Sequence, residues 1–114
     1  MKDVVVLIRH LPLGNLKSSE ALRVSVGLTL SDYRITALFI EEGVWSATEL
    51  RPGSIKGPVF KKHIDTLKLL GHTLVADEDS LKARGIEKVR EGIKVRPRPE
   101  ILKILDNAEV IIPF

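Results

Sequence analysis

At 114 residues the chain has the length of one domain, enough to bury roughly two-thirds of its unfolded surface around a single core. Its 18 Lys plus Arg against 15 Asp plus Glu leave a net charge of +3, too weak a basic balance to point to nucleic acid, and a hydrophobic share of 44% is ordinary for a globular chain. It contains no cysteine, which excludes disulfides, thiolate metal centres and any thiol nucleophile in this chain.

The first element predicted is a strand over Asp3 to Ile8, whose run Val4-Val5-Val6-Leu7-Ile8 reads as covered on both faces. No basic, apolar and small-residue sequence of a signal peptide precedes it, and the longest apolar run is five residues, so a cytoplasmic chain without membrane contact is expected. Arg9-His10 and the loop Leu11-Pro12-Leu13-Gly14-Asn15 follow. Asn15, Ser18 or Ser19 supplies a cap for a helix over 18–30, with Glu20 in its first turn. Leu22, Val26 and Leu30 line one side of that helix, while Ala21, Val24 and Leu28 put apolar groups on others, a pattern that calls for burial by more than its own sheet.

Arg34 to Ile40 is predicted as the second strand, with Glu41-Glu42-Gly43-Val44-Trp45 at its carboxyl end and a Gly/Pro-rich loop at 51–57. A helix starts at Pro58, carries Phe60, Ile64 and Leu67 at i, i+4, i+7, and is closed by Gly71. His72 to Ala76 reads as strand three, followed by the acidic turn Asp77-Glu78-Asp79 and a helix over about Ser80 to Arg84, for which Asp79 or Ser80 is the expected cap. Gly92 to Arg96 alternates apolar and cationic residues as a peripheral strand does. Pro97 and Pro99 open a last helix with Ile101, Leu102, Ile104 and Leu105 as its apolar face, and Glu109 to Ile112 forms a terminal strand before Pro113-Phe114.

Strands alternating with helices imply an α/β fold: one domain over 1–114, three layers α/β/α of flavodoxin-like appearance, with a mainly parallel five-stranded sheet. Right-handed crossovers place the loops at 9–17, 41–57 and 77–80 on one edge of that sheet, the edge where a site is sought.

The groups available there are His10, Glu41, Glu42, Asp77 and Ser80. His10, His63 and His72 lack the spacing of a metal set, so no metal is expected. The Pro12-Leu13-Gly14 loop has neither the dinucleotide nor the phosphate-loop glycine pattern, so no cofactor is expected. Paired carboxylates can do acid–base work or hold a hard cation, but capping explains most of these acids. Lys88, Arg90, Lys94, Arg96 and Arg98 form the densest basic stretch; without interleaved aromatics, and diluted by Glu87 and Glu91, it fits a solvated or interface strand better than a direct nucleic-acid surface. Trp45 and Phe114 fit core or subunit contacts.

Five stretches in order resemble one family: Pro12-Leu13-Gly14 with Glu20-Ala21-Leu22-Arg23; Phe39-Ile40-Glu41-Glu42-Gly43-Val44; Leu67-Lys68-Leu69-Leu70-Gly71; Ser80-Leu81-Lys82-Ala83-Arg84-Gly85; and Asn107-Ala108-Glu109-Val110-Ile111-Ile112-Pro113-Phe114. Together they resemble the DsrE/DsrF-like family, and within it the DsrF/TusC branch of its sulfur-relay complexes. The resemblance implies a small intracellular α/β protein that forms trimers or hexamers, as a homo-oligomer or with DsrE/TusD-like and DsrH/TusB-like subunits. Such assemblies pass sulfane sulfur, as a cysteine persulfide, towards tRNA thiolation or sulfur oxidation.

The resemblance also places the relay cysteine of catalytic members at the turn after strand three, eight residues before the glycine of Arg84-Gly85, which here is Asp77. A carboxylate cannot carry sulfane sulfur, because persulfide transfer needs a thiolate that attacks and then leaves. Fold and assembly are therefore expected, and the catalytic step is not. Gly14, Gly43, Ser80, Arg84 and Gly85 map onto the scaffold of the family's site edge. The competing expectation is a ligand-binding protein or enzyme that uses His10, Glu41, Asp77 and Ser80 on that same edge.

Overall fold

The computed structural model describes residues 2–9, 33–48 and 65–113. The helix expected over 18–30, the 51–57 loop, the start of the helix at Pro58, and His10, Pro12, Gly14, His63 and Phe114 lie outside these segments.

Five strands form one sheet: β1 (Lys2–Ile8), β2 (Tyr33–Phe39), β3 (Thr73–Asp77), β4 (Lys94–Arg96) and β5 (Val110–Pro113). Their order is β4-β3-β2-β1-β5, and every neighbouring pair is parallel. A 3-10 helix (Glu41–Ala47) follows β2, helix α1 (Glu78–Ala83) follows β3, and helix α2 (Arg98–Asn107) joins β4 to β5. Residues 65–69 are also helical and lead into β3.

The β-branched run of β1 sits between β2 and β5, in register from Lys2 opposite Tyr33 to Ile8 opposite Phe39. Alternation along the strands then sorts side chains onto two faces. Val4, Val6, Ile8, Ile35, Ala37, Phe39, Leu74 and Ala76 point to one face and pack with Val44, Leu67 and Leu81 from the helical elements. Val5, Leu38 and Val75 point to the other, under Ile101 of α2. Both faces are dry at their centres, which is why these strands read as continuous apolar runs rather than alternating ones.

Strand β2 lies one residue earlier than expected and β5 one residue later, and three further local readings change. Strand β3 is shifted one residue on and ends at Asp77, so α1 begins at Glu78 and its cap is Asp77 itself, not Asp79 or Ser80. With no loop residue between strand and helix, the strand's last carboxylate reaches the Ser80 N–H. Leu102, assigned to the apolar face of the last helix, is 54% exposed; the buried contact is made by Ile101, one residue and about 100° away. The strand expected from Gly92 begins at Lys94.

The close of the helical segment matches expectation. The N–H groups of Gly71 and His72 donate to the Lys68 and Leu67 carbonyls, with Gly71 in the left-handed conformation at φ 80°. The same pair of bonds ends α1, where Gly85 at φ 66° follows the Arg84 cap.

Topology locates the edge that matters. β3 sends its connection into α1 on one face, while its neighbour β4 sends its own into α2 on the opposite face. Adjacent strands whose connections diverge leave a crevice outside their carboxyl ends, the usual ligand position in open α/β sheets. Here that crevice lies between the ends of β3 and β4.

Candidate functional site

Asp77 stands at the mouth of this crevice, at the end of β3, with its side chain fully buried. Its Oδ2 accepts from the Ser80 hydroxyl at 2.7 Å, the Ser80 N–H at 3.3 Å and Arg98 Nη2 at 2.6 Å, while Oδ1 accepts from Arg98 Nε at 3.3 Å. Arg98 is the first residue of α2, so its guanidinium reaches across from the other layer. Burial pushes the Asp77 carboxyl up, but the Arg98 guanidinium and the Ser80 hydroxyl and N–H outweigh it and hold the group below its ordinary range.

Ser80 carries the network onward. Its Oγ accepts the Glu41 backbone N–H at 2.9 Å, so the first turn of α1 is tied to the start of the 3-10 helix. Glu41 takes φ 51°, a left-handed conformation uncommon for a residue with a side chain. That turn is held from the other side by Ile40, whose N–H donates to the Ile8 carbonyl at 3.0 Å, and by Gly43. A Cβ on Gly43 would stand 1.9 Å from the Ile8 carbonyl oxygen, so only glycine lets the 3-10 helix lie against the end of β1.

Arg84 makes the second clamp. Its Nε and Nη2 donate to one Glu42 carboxylate oxygen at 3.0 and 2.8 Å, its Nη1 donates to the Ser80 carbonyl at 3.1 Å, and Glu41 Oε2 lies 3.7 Å away. The sequence-predicted residues Glu41, Glu42, Gly43, Asp77, Ser80 and Arg84 therefore meet on one edge. His10, Pro12 and Gly14 fall outside the described residues. His72 lies at the opposite, amino edge, where its Nδ1 accepts the Ile35 N–H at 3.2 Å. Burial lowers its pKa.

Arg98 was missed as a site residue and read as one member of a basic stretch. Its partner is 21 residues away and in the other layer, so no local spacing reveals the pair. The signal available was topological: the residue opening the helix after β4 must pass the end of β3.

Chemically the edge is occupied by itself. The Ser80 hydroxyl is 3% exposed and committed to Asp77, with no imidazole among the described residues positioned to take its proton. Among the described residues no three His, Asp or Glu side chains converge as a metal set. A groove of about 250 Å³, lined by Val5, Thr36, Thr73 and Ile104 among others, opens at the amino edge instead.

The comparisons with known proteins agree with this architecture. A sequence profile described as the DsrE/DsrF-like family matches residues 2–114. The chain belongs to the DsrE/DsrF-like family. The chain is 29% identical over an alignment of 121 positions to the intracellular sulfur oxidation protein DsrF of Allochromatium vinosum, covering 96% of this chain and 88% of that one. The crystal structure of the ychN protein from E. coli superposes with a TM-score of 0.81 over 100% of both chains at 16% identity, a likeness of fold. As a DsrE/DsrF-like chain it lacks cysteine throughout, and the end of β3 carries a buried ion pair.

Proposed function

We propose that this DsrE/DsrF-like chain is a non-catalytic subunit of an intracellular sulfur-relay assembly, acting through contacts with protein partners. Family membership and the sulfur oxidation protein among its relatives support the setting. The observation that carries the non-catalytic role is Asp77: at the relay position implied by the family resemblance stands a carboxylate that is buried, ion-paired and hydrogen-bonded, in a chain without any thiol. A carboxylate there can neither attack a persulfide nor leave from one.

Cytoplasmic location, trimeric or hexameric assembly, and partners of the DsrE/TusD and DsrH/TusB kinds belong to the same proposal. No described helix is long and apolar enough to cross a membrane. The ligand-binding or enzyme alternative needs Asp77 and Ser80 free to engage a substrate, whereas each already satisfies the other.

Two measurements test the reading. After incubation with a cysteine persulfide donor the intact mass is expected unchanged, and a stable gain of one sulfur atom would overturn the non-catalytic role. Affinity purification from the native host is expected to retain a family sibling that carries a cysteine at the equivalent turn; recovery of this chain with no such sibling would overturn the relay setting.

A further inference from the structure

The sheet face under α2 changes character along its strands. Leu38 and Val75, in neighbouring strands, are buried with Ile101 of α2. Two residues earlier on the same face stand Thr36 and Thr73, opposite each other in the register and beside Val5 of β1. Among the described residues neither threonine hydroxyl has a hydrogen-bond partner, and nor does the side-chain amide of Asn107 at the end of α2. These three polar groups line the amino-edge groove of about 250 Å³, with Val5 and Ile104 as its apolar wall. One row further out, Arg34 and Asp3 form its rim as an ion pair, in which Nε donates to Oδ1 and Nη2 donates to Oδ2 at 3.1 Å. Both side chains stay largely open to solvent, and Arg34 Nη1 has no partner among the described residues.

We propose that this groove binds a small free α-amino acid with an apolar side chain. An apolar wall with a few converging polar groups is the usual make-up of a small-molecule site. The volume lies below the roughly 300 Å³ at which pockets take drug-sized ligands, and equals that of about eight water molecules. Charge then selects the class. A simple anion meets Arg34, but also Asp3 and the carbonyl end of α2, whose last turn carries no basic residue to offset it. A simple cation meets Asp3 and that helix end, but also Arg34. A zwitterion satisfies both signs at once. Its carboxylate accepts from Arg34 Nη1 and the threonine hydroxyls, its ammonium donates towards Asn107 Oδ1 and the end of α2, and its side chain lies on Val5 and Ile104. No residue of the carboxyl edge takes part, so the inference stands apart from the sulfur-relay reading.

Amide NMR of the isotope-labelled full chain tests it, with three probes that share one carbon skeleton: L-valine, isobutylamine and isovalerate. Valine is expected to shift the amides of Thr36, Thr73 and Asn107 in a saturable way. At the same concentrations the amine and the acid, each carrying one of its two charges, leave those amides in place. Thr36→Val, which exchanges the hydroxyl for a methyl of similar shape, is expected to weaken valine binding about tenfold. Arg34→Gln abolishes the response, whereas Lys94→Gln on the far edge strand leaves it unchanged. Absence of saturable shifts with valine, an equal response to isobutylamine or isovalerate, shifts confined to the carboxyl edge, or full affinity in Thr36→Val would overturn the proposal. Should a variant fail to fold, the comparison of the three probes on the unaltered chain decides alone.

Discussion

Asp77 and Arg98 form an asymmetric pair, and the asymmetry sets what each substitution does. Arg98 is 43% exposed along its side chain and can return to water if its partner is removed, whereas Asp77 has no water to return to. Asp77→Ala is therefore expected to cost about 3 kcal/mol, including the lost cap of α1. Arg98→Ala is expected to cost more than Asp77→Ala, because it strands a carboxylate in the interior. Urea unfolding of both variants near neutral pH checks the order, and the reverse order would mean the pair is less buried in solution. The pH dependence follows from the lowered Asp77 pKa. A carboxylate bound more tightly as an anion in the folded state stabilises it fully above its ordinary value of 3.8, and that contribution is lost as pH falls below it. In Arg98→Ala burial dominates and raises the carboxyl, so this contribution changes sign: the buried anion is a penalty near neutral pH that is relieved as pH falls. His72 shares the preference for the deprotonated form, which here is the neutral ring, since its burial disfavours the charged imidazolium in the folded state. Its stabilisation is full above the ordinary value of 6.5 and declines as pH falls through it. His72→Leu is expected to flatten the dependence of the urea midpoint on pH between that value and mild acid.

Among the elements, the 3-10 helix is the one most tightly specified by a single residue. Gly43→Ala sets a methyl against the backbone carbonyl of Ile8 on an inner strand, which cannot turn aside as a side chain would. The expected cost is about 3 kcal/mol, with the 3-10 helix displaced. The displacement should separate Arg84 from Glu42, visible as loss of the variant's sensitivity to Glu42→Gln in a double-mutant cycle. These elements were unevenly legible beforehand. β1 and β2 announce themselves because runs such as Val4 to Ile8 have no other stable use in a polar-flanked segment, and Gly71 marks a helix end by the conformation it permits. The β3–α1 junction was misread by one residue because a strand that becomes a helix without a loop leaves no turn residues to count. Leu102 was misplaced because four apolar residues in five positions fit several faces of a helix. At the site, topology put Glu41, Glu42, Asp77 and Ser80 on one sheet edge and the family resemblance added Gly43 and Arg84, while Arg98 lies in the layer beyond the sheet and has no sequence neighbour that points to it.

Across the described residues, the order β4-β3-β2-β1-β5 makes β3, β2 and β1 the strands flanked on both sides, with their core residues excluded from water on both faces, and of these β3 alone borders the three-residue edge strand β4. Opening them requires parting the sheet, whereas β4 can leave from one side. Hydrogen exchange followed by mass spectrometry is expected to show the slowest amides in Val4 to Ile8 and Ile35 to Phe39, and faster exchange in Lys94 to Arg96. Equal protection of β4 and β2 would mean that the basic edge is covered in solution. The Asp77–Arg98 pair has one more consequence at this scale. Thiols change charge, bulk and bonding as sulfur arrives and departs, so an edge built on one has a different shape at each stage of a transfer. Carboxylate and guanidinium keep their charges in oxidising and reducing surroundings alike. The edge of this chain is blind to redox state: it offers its neighbours the same contour before, during and after any sulfur chemistry they carry out.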